Sequence, residues 1–172
     1  MGPVSAELAI DAPRRRAFDF VADLGNRPAF TDHFISDFHL SRLESSGIGA
    51  GARFRFYAPP QAIWMDTVIE AWEPPHRISE RGAGGRLNRI PSATEWELTE
   101  GPGSLTTVRV AYWTEPGNPI DRGKEILGAA SHWYTRDWAA ALRRLRELLE
   151  SDRKPGEGVG VAGADRHWAG LP

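Results

Sequence analysis

The sequence predicts an α+β fold, an antiparallel sheet whose apolar face is covered by a long C-terminal helix. Three observations lead there. The first is the helix. From about Pro119 to Glu150, the residues Leu127, Ala130, Tyr134, Trp138, Leu142, Leu145 and Leu149 recur at steps of three and four, while Arg136, Arg143, Arg144, Arg146, Glu147 and Glu150 take the other side. The second is a series of about six strand-like segments between Ile35 and Thr114, separated by turns rich in Gly and Pro. The third is the order: a strand, one or two short helices, the series of strands, then the helix, without the strand–helix alternation of a parallel sheet. A sheet with one polar face has a single apolar face to bury, and no other element carries so long an apolar stripe.

Taken in order, Val4 to Ile10 alternates apolar and polar side chains, as a half-buried strand does. Asp11 and Pro13 then start a helix, with Pro13 in the first turn, where a missing N–H costs nothing. Phe18, Val21 and Leu24 share a face of it, and Gly25 and Asn26 stop it. Pro28 opens a second short helix that ends near His33. Strands are expected at Ile35–Leu43, Arg53–Tyr57, Trp64–Trp72, Ile78–Arg81, Thr94–Leu98 and Thr106–Thr114. Between them Glu44 to Gly51 reads as a turn, and Pro59-Pro60 and Pro74-Pro75 break the chain. Gly82 to Gly85 reads as a flexible link, and Gly101-Pro102-Gly103 as the tip of a hairpin. Asn118 caps the long helix with Pro119 and Asp121 in its first turn, and Gly128 can kink it. After Lys154 the Gly- and Ala-rich text has no apolar period and reads as a flexible tail, with Trp168 its one sticky residue.

The 172 residues suit one domain, taken here as 1–152, followed by the tail 153–172. The formal charge is −2, from 21 Lys and Arg against 23 Asp and Glu, so no global field draws the chain to nucleic acid or acidic lipid. There are no cysteines, which excludes disulfides, thiolate metal sites and cysteine nucleophiles. The N-terminal text lacks a basic-then-apolar leader, and no apolar run approaches the roughly 20 residues of a membrane span. The expectation is a cytoplasmic monomer or weak homodimer with no membrane insertion.

Several chemical motifs fail on context. The run Gly47 to Gly51 lies between two strands and aims no helix N-terminus at a phosphate. Gly158 to Gly163 has G-x-G-x-x-G spacing but follows a helix, and too little chain remains for a βαβ unit. His33, His39, His76, His132 and His167 form no HExxH and no close pair at helical ligand spacing, and there is no G-x-S-x-G elbow. Neither a metal nor a cofactor is expected. Arg14, Arg15 and Arg16 occupy consecutive helix positions and face different directions, with no aromatic platform or recognition helix beside them.

The segments ELAIDAPRRRAFDFVADLGNRPAF, GIGAGARFRF and VIEAWEPPHRIS, followed by the terminal helix, resemble the START-like superfamily. That group includes the Bet v 1-like proteins and the bacterial polyketide cyclase/dehydrase and lipid-transport proteins. The resemblance runs from about residue 4 to 150, and its motifs bear on fold far more than on function. It implies the helix-grip arrangement: a curved sheet wrapped around the terminal helix, with an apolar cavity between them.

The candidate site residues are chiefly aromatic. Phe54, Phe56, Trp96, Tyr112, Tyr134 and Trp138 fall on the expected inward faces, where rings serve either as ordinary core or as pocket wall. His132 lies near the pocket end of the long helix, and a surface or packing role is the simpler one. Arg77, after the Pro-Pro turn, is either solvated or an anchor for a ligand carboxylate. His33 is a C-terminal partner for its helix dipole or a group at the cavity mouth. Glu95 and Glu97 alternate with Trp96 and Leu98 and so face solvent; Asp66 and Glu70 share a face of the longest strand, and a bulge there would turn Asp66 inward.

Three functions fit these residues. The first is binding of a small hydrophobic molecule, such as a lipid, isoprenoid or polyketide, with a few polar groups setting its orientation. The second is a polyketide cyclase or dehydratase in which a pocket Tyr, His or Asp moves protons. The third is an interaction module using the sheet or the tail.

Overall fold

The computed structural model describes residues 1–58, 61–115, 123 and 130–151. The expected first part of the long helix, Pro119 to Ala129 apart from position 123, and the tail 153–172 lie outside the described residues, as does the Asn118 cap. Seven strands form one antiparallel, curved sheet: β1 (Val4–Asp11), β2 (Ile35–Leu40), β3 (Gly51–Ala58), β4 (Gln61–Glu73), β5 (Arg77–Gly84), β6 (Ile90–Glu100) and β7 (Leu105–Thr114). The spatial order is β1-β7-β6-β5-β4-β3-β2. β1 and β2 therefore sit at opposite edges, and the chain crosses between them through α1 (Arg14–Ala22), a short 3-10 turn (Leu24–Asn26) and α2 (Pro28–Thr31). The meander from β2 to β7 then returns to pair with β1. The terminal helix α3 (Ala130–Glu150) packs on β1 and against α2.

Periodicity explains most of the core. On α3, Tyr134, Trp138, Leu142, Leu145 and Leu149 are buried, as their spacing requires, with Ala141 between them. Each buried Leu contributes about 1.5–3 kcal/mol of apolar transfer energy. The strands answer with alternating inward residues, Ile10, Ile78, Trp96, Leu98, Val108 and Val110, all at most 1% exposed. A hydrogen bond from the Asp11 N–H to Glu150 Oε1 (2.9 Å) ties the helix end to β1.

β2 stops at Leu40, short of the expected Leu43, and the Gly82 to Gly85 segment and the end of β4 also depart from the sequence reading. Gly82 and Gly84 are not a flexible link; they continue β5, paired on one side with Thr67 and Met65 and on the other with Ser92 and Ile90. The reason is close approach. A Cβ on Gly84 would lie 1.8 Å from Met65 Sδ, so the glycine gives Met65 room to lie across the strand. On β4, a bulge between Ile69 and Ala71 shifts the alternation after Asp66, not before it. Met65, Thr67 and Ile69 face inward, while Asp66 and Glu70 stay on the outer face opposite Arg53 and Arg81. The bulge turns Trp72 instead, which stacks on Phe18 (6.5 Å between ring centres). The turn before β3 is shaped to fit: Gly47 has φ +90, and a Cβ there would lie 2.3 Å from the Trp72 ring.

Candidate functional site

Between the sheet and α3 lies a small space whose wall is largely aromatic and whose inner end is polar. Phe54, Phe56, Tyr112 and Trp138 line it, with Phe38 and Met65 beside them. The strand and helix periods bring these rings together: Phe54 and Phe56 from β3, Tyr112 from β7, Trp138 from α3. Phe56 stacks on Tyr112 at 5.5 Å and meets Tyr134 edge-on at 5.1 Å. Tyr134 also meets Tyr112 edge-on at 5.4 Å, which places it in the ring cluster behind the lining. Trp96, fully buried, sits deeper still and meets Trp138 edge-on at 5.6 Å. These rings fill most of the interior. The open volume is about 20 Å³, room for one water-sized group. At the rim, half-buried Phe38 and Phe54 stack at 5.7 Å.

The other two sequence candidates stand elsewhere. His132 is exposed, its ring near Trp133. Arg77 is on the outer face of the sheet, donating to Glu95 (2.5 Å) and Glu73 (3.2 Å); the hydrogen bond to Glu95 chiefly raises its pKa. Glu97 pairs in the same way with Arg109 at 2.9 Å. Such solvated pairs contribute about 0–1 kcal/mol each. These pairings hold Arg77, Glu95 and Glu97 on the face turned away from the cavity.

The polar end of the cavity comes from residues that the sequence reading passed over. Arg27 follows the 3-10 turn and directly precedes Pro28. Its N–H donates to the Leu24 carbonyl (3.1 Å), and its own carbonyl accepts from the Thr31 hydroxyl (2.7 Å). This double anchorage sends the side chain into the interior, where it is 4% exposed. Its Nη2 donates to Glu80 Oε1 at 2.6 Å. The same oxygen accepts from Trp96 Nε1 (3.0 Å), and Glu80 Oε2 accepts from the Thr67 hydroxyl (3.2 Å). The guanidinium also lies over the Trp96 ring, 4.8 Å from its centre. Arg27, Thr67, Glu80, Ser92 and Thr94 all line the cavity. A buried ion pair seldom stabilises a core better than apolar residues of equal volume would.

His33 lies on the outer side of this region. Its Nε2 is 3.0 Å from the Asp137 carbonyl oxygen, linking α2 to α3, and neighbouring Asp32 forms an ion pair with Arg144. Burial, helped by the positive charge of Arg144, lowers the imidazole pKa from its ordinary 6.5 and outweighs the raising effects of the Asp137 carbonyl and the nearby carboxylates. The folded state then holds fewer protons than the unfolded one, so stability rises with pH. The contribution is complete above 6.5 and is lost as pH falls from there through the lowered folded value. In thermal melts between about pH 7.5 and about pH 5, the His33→Gln variant is expected to lose less Tm than the parent protein. An equal or larger loss in the variant would contradict this assignment.

Among the described residues no group of three His, Asp or Glu could hold a metal ion, and no helix is long and apolar enough to cross a membrane. Among curated proteins, none matches the chain. Solved structures do. TTHA0849 from Thermus thermophilus superposes with a TM-score of 0.69 at 19% identity, covering 86% of this chain and 96% of that one. A START superfamily protein from Mycobacterium smegmatis gives 0.65 at 14% identity, covering 85% and 98%. The major latex-like protein 151 of Panax ginseng gives 0.62 at 14% identity, covering 87% and 98%. At these identities the likeness is one of fold. The model of the family described as polyketide cyclase/dehydrase and lipid transport matches residues 1–150. The chain therefore belongs to this family, and its seven-stranded helix-grip sheet is the fold that these structures share.

Proposed function

We propose that this protein binds a small hydrophobic molecule in the space between the concave sheet and α3. The observation that carries this reading is the lining itself: rings and Met65 around one continuous space, with a desolvated Arg27–Glu80 pair at its inner end. That combination suits an amphipathic guest, with affinity from buried apolar surface at roughly 25 cal/mol per Å² and orientation from few polar contacts. A guest carrying a ring needs more than 20 Å³, so side chains must move. The suited ones are Met65, which is unbranched and lies over Gly84, and the half-buried Phe38–Phe54 pair at the rim.

The cyclase alternative needs an acid–base group facing the space. His132 is exposed, and both Glu80 oxygens already accept hydrogen bonds. These placements count against His132 and Glu80, and Tyr112, which lines the space, is the group a cyclase would use. The test is titration of the protein with the neutral dye Nile red, with native mass spectrometry for stoichiometry. One dye per chain is expected. Ser92→Leu, which grows a side chain into the cavity, is expected to weaken binding at least about tenfold, while His132→Ala changes it less than about twofold. Binding unaffected by Ser92→Leu would move the dye elsewhere. Turnover of an aromatic polyketide precursor that collapses in His132→Ala would replace the binder by the enzyme.

A further inference from the structure

Two buried nitrogen donors at the cavity have no acceptor among the described residues. One is Nε of Arg27; the other is Nε1 of Trp138, a residue 3% exposed. Both residues line the same space of about 20 Å³. They are also neighbours through one ring: the Arg27 guanidinium carbon is 4.8 Å from the centre of a Trp96 ring, and Trp138 meets Trp96 at 5.6 Å. The rest of the Arg27–Glu80–Trp96–Thr67 cluster is bonded. A buried donor left unpaired is unfavourable, and native interiors seldom tolerate it without a reason. Both donors belong to residues that line one space of about 20 Å³, and an acceptor placed there is the simplest partner for them.

The geometry points to a ligand whose buried end is a neutral carbonyl oxygen, as in a ketone, aldehyde or ester, accepting from Arg27 Nε–H and Trp138 Nε1–H. Its hydrophobic body then runs outward past Phe56 and Tyr112 towards Phe54 and Phe38. This inference rests on the ligand-binding reading and adds the chemistry of the guest. Charge selects against an anion: Glu80, 2.6 Å from Arg27, already balances the guanidinium. A carboxylate would lose its hydration and bring a second negative charge beside Glu80 in a poorly screened interior. A carbonyl also fits better than an alcohol. It only accepts, matching two donors, whereas a hydroxyl brings a hydrogen that needs an acceptor of its own.

The test uses three probes with one hydrophobic body, 2-acetylnaphthalene, 2-ethylnaphthalene and 2-naphthoate, measured by calorimetric titration of the full chain. The ketone is expected to bind at least about tenfold tighter than either of the others, the scale of one or two buried hydrogen bonds. In Trp138→Phe, which keeps a ring and loses the N–H, that preference over the ethyl compound is expected to shrink to about threefold or less, both affinities being measured in the same variant so that any change in packing cancels in their ratio. This variant is preferred to any change at Arg27, whose loss would strand Glu80. Equal affinity for ketone and ethyl compound, tightest binding of the naphthoate, or a preference that survives Trp138→Phe would overturn the carbonyl assignment while leaving a hydrophobic pocket in place. Failure of all three probes to bind would remove the pocket reading together with this one.

Discussion

Arg27→Met is expected to destabilise the protein by about 3–5 kcal/mol, because it leaves the Glu80 carboxylate buried without its counter-ion. Glu80 is 2% exposed and cannot turn to water without breaking its bonds to Trp96 and Thr67. The comparison that isolates the cause is the double variant Arg27→Met, Glu80→Gln. There the charge is gone, an amide oxygen still accepts from the Trp96 indole, and most of the loss is expected to be recovered. Urea unfolding with an unchanged slope is the measurement. A single-variant loss below about 1 kcal/mol would mean that the pair is solvated and that the polar end of the cavity is misassigned.

Trp96→Ala is expected to cost a similar amount, about 3–5 kcal/mol, for a different reason. The indole is fully buried and touches Phe30, Trp138 and the Arg27 guanidinium, so its removal leaves a void that strands and helices cannot close. It also takes a donor from Glu80. Trp96→Phe separates the two effects: it keeps most of the ring contact and loses the N–H, so a cost of about 1–3 kcal/mol is expected. A Phe variant as damaged as the Ala variant would assign Trp96 chiefly to the polar cluster. A Phe variant equal to the parent would assign it to packing alone.

Much of this fold is legible in the sequence because it rests on period. Alternation fixed the inward faces of β3, β6 and β7, and the three-and-four spacing fixed the buried side of α3. The same rules place Phe54, Phe56, Tyr112 and Trp138 around one space. The polar end was harder to see, although part of its signal was present. Glu80 lies two residues after Ile78 and so shares its inward face. Reading that parity on a strand taken to end at Arg81 would have exposed a buried carboxylate in need of a cation. Which cation was not legible. Arg27 sits in a turn with no period, and only the fold carries it across to β5. The size of the cavity was equally hidden. Inward rings in a row are compatible with a wide pocket or with rings packed on one another, and only coordinates distinguish them.

Trp72 shows how a single irregularity defeats parity. It has the same parity as Asp66 and Glu70 along β4, yet it stacks inward on Phe18 because the bulge intervenes. Gly47 beneath it was visible only as part of a glycine-rich turn. The bulge itself leaves no distinctive residue in the sequence.

The central claim is that a hydrophobic guest enters between the sheet and α3. The chain has seven tryptophans, and their indole N–H resonances report on both sides of the sheet. Trp96 and Trp138 are buried beside the cavity, whereas Trp64 and Trp113 are on the outer face. The deciding measurement is a titration of 15N-labelled protein with 2-acetylnaphthalene, following these resonances. Saturable shifts of the Trp96 and Trp138 indoles at one probe per chain, with Trp64 and Trp113 unmoved, are expected. Shifts confined to Trp64 and Trp113, or no saturable shift at Trp96 and Trp138, would contradict binding in the interior.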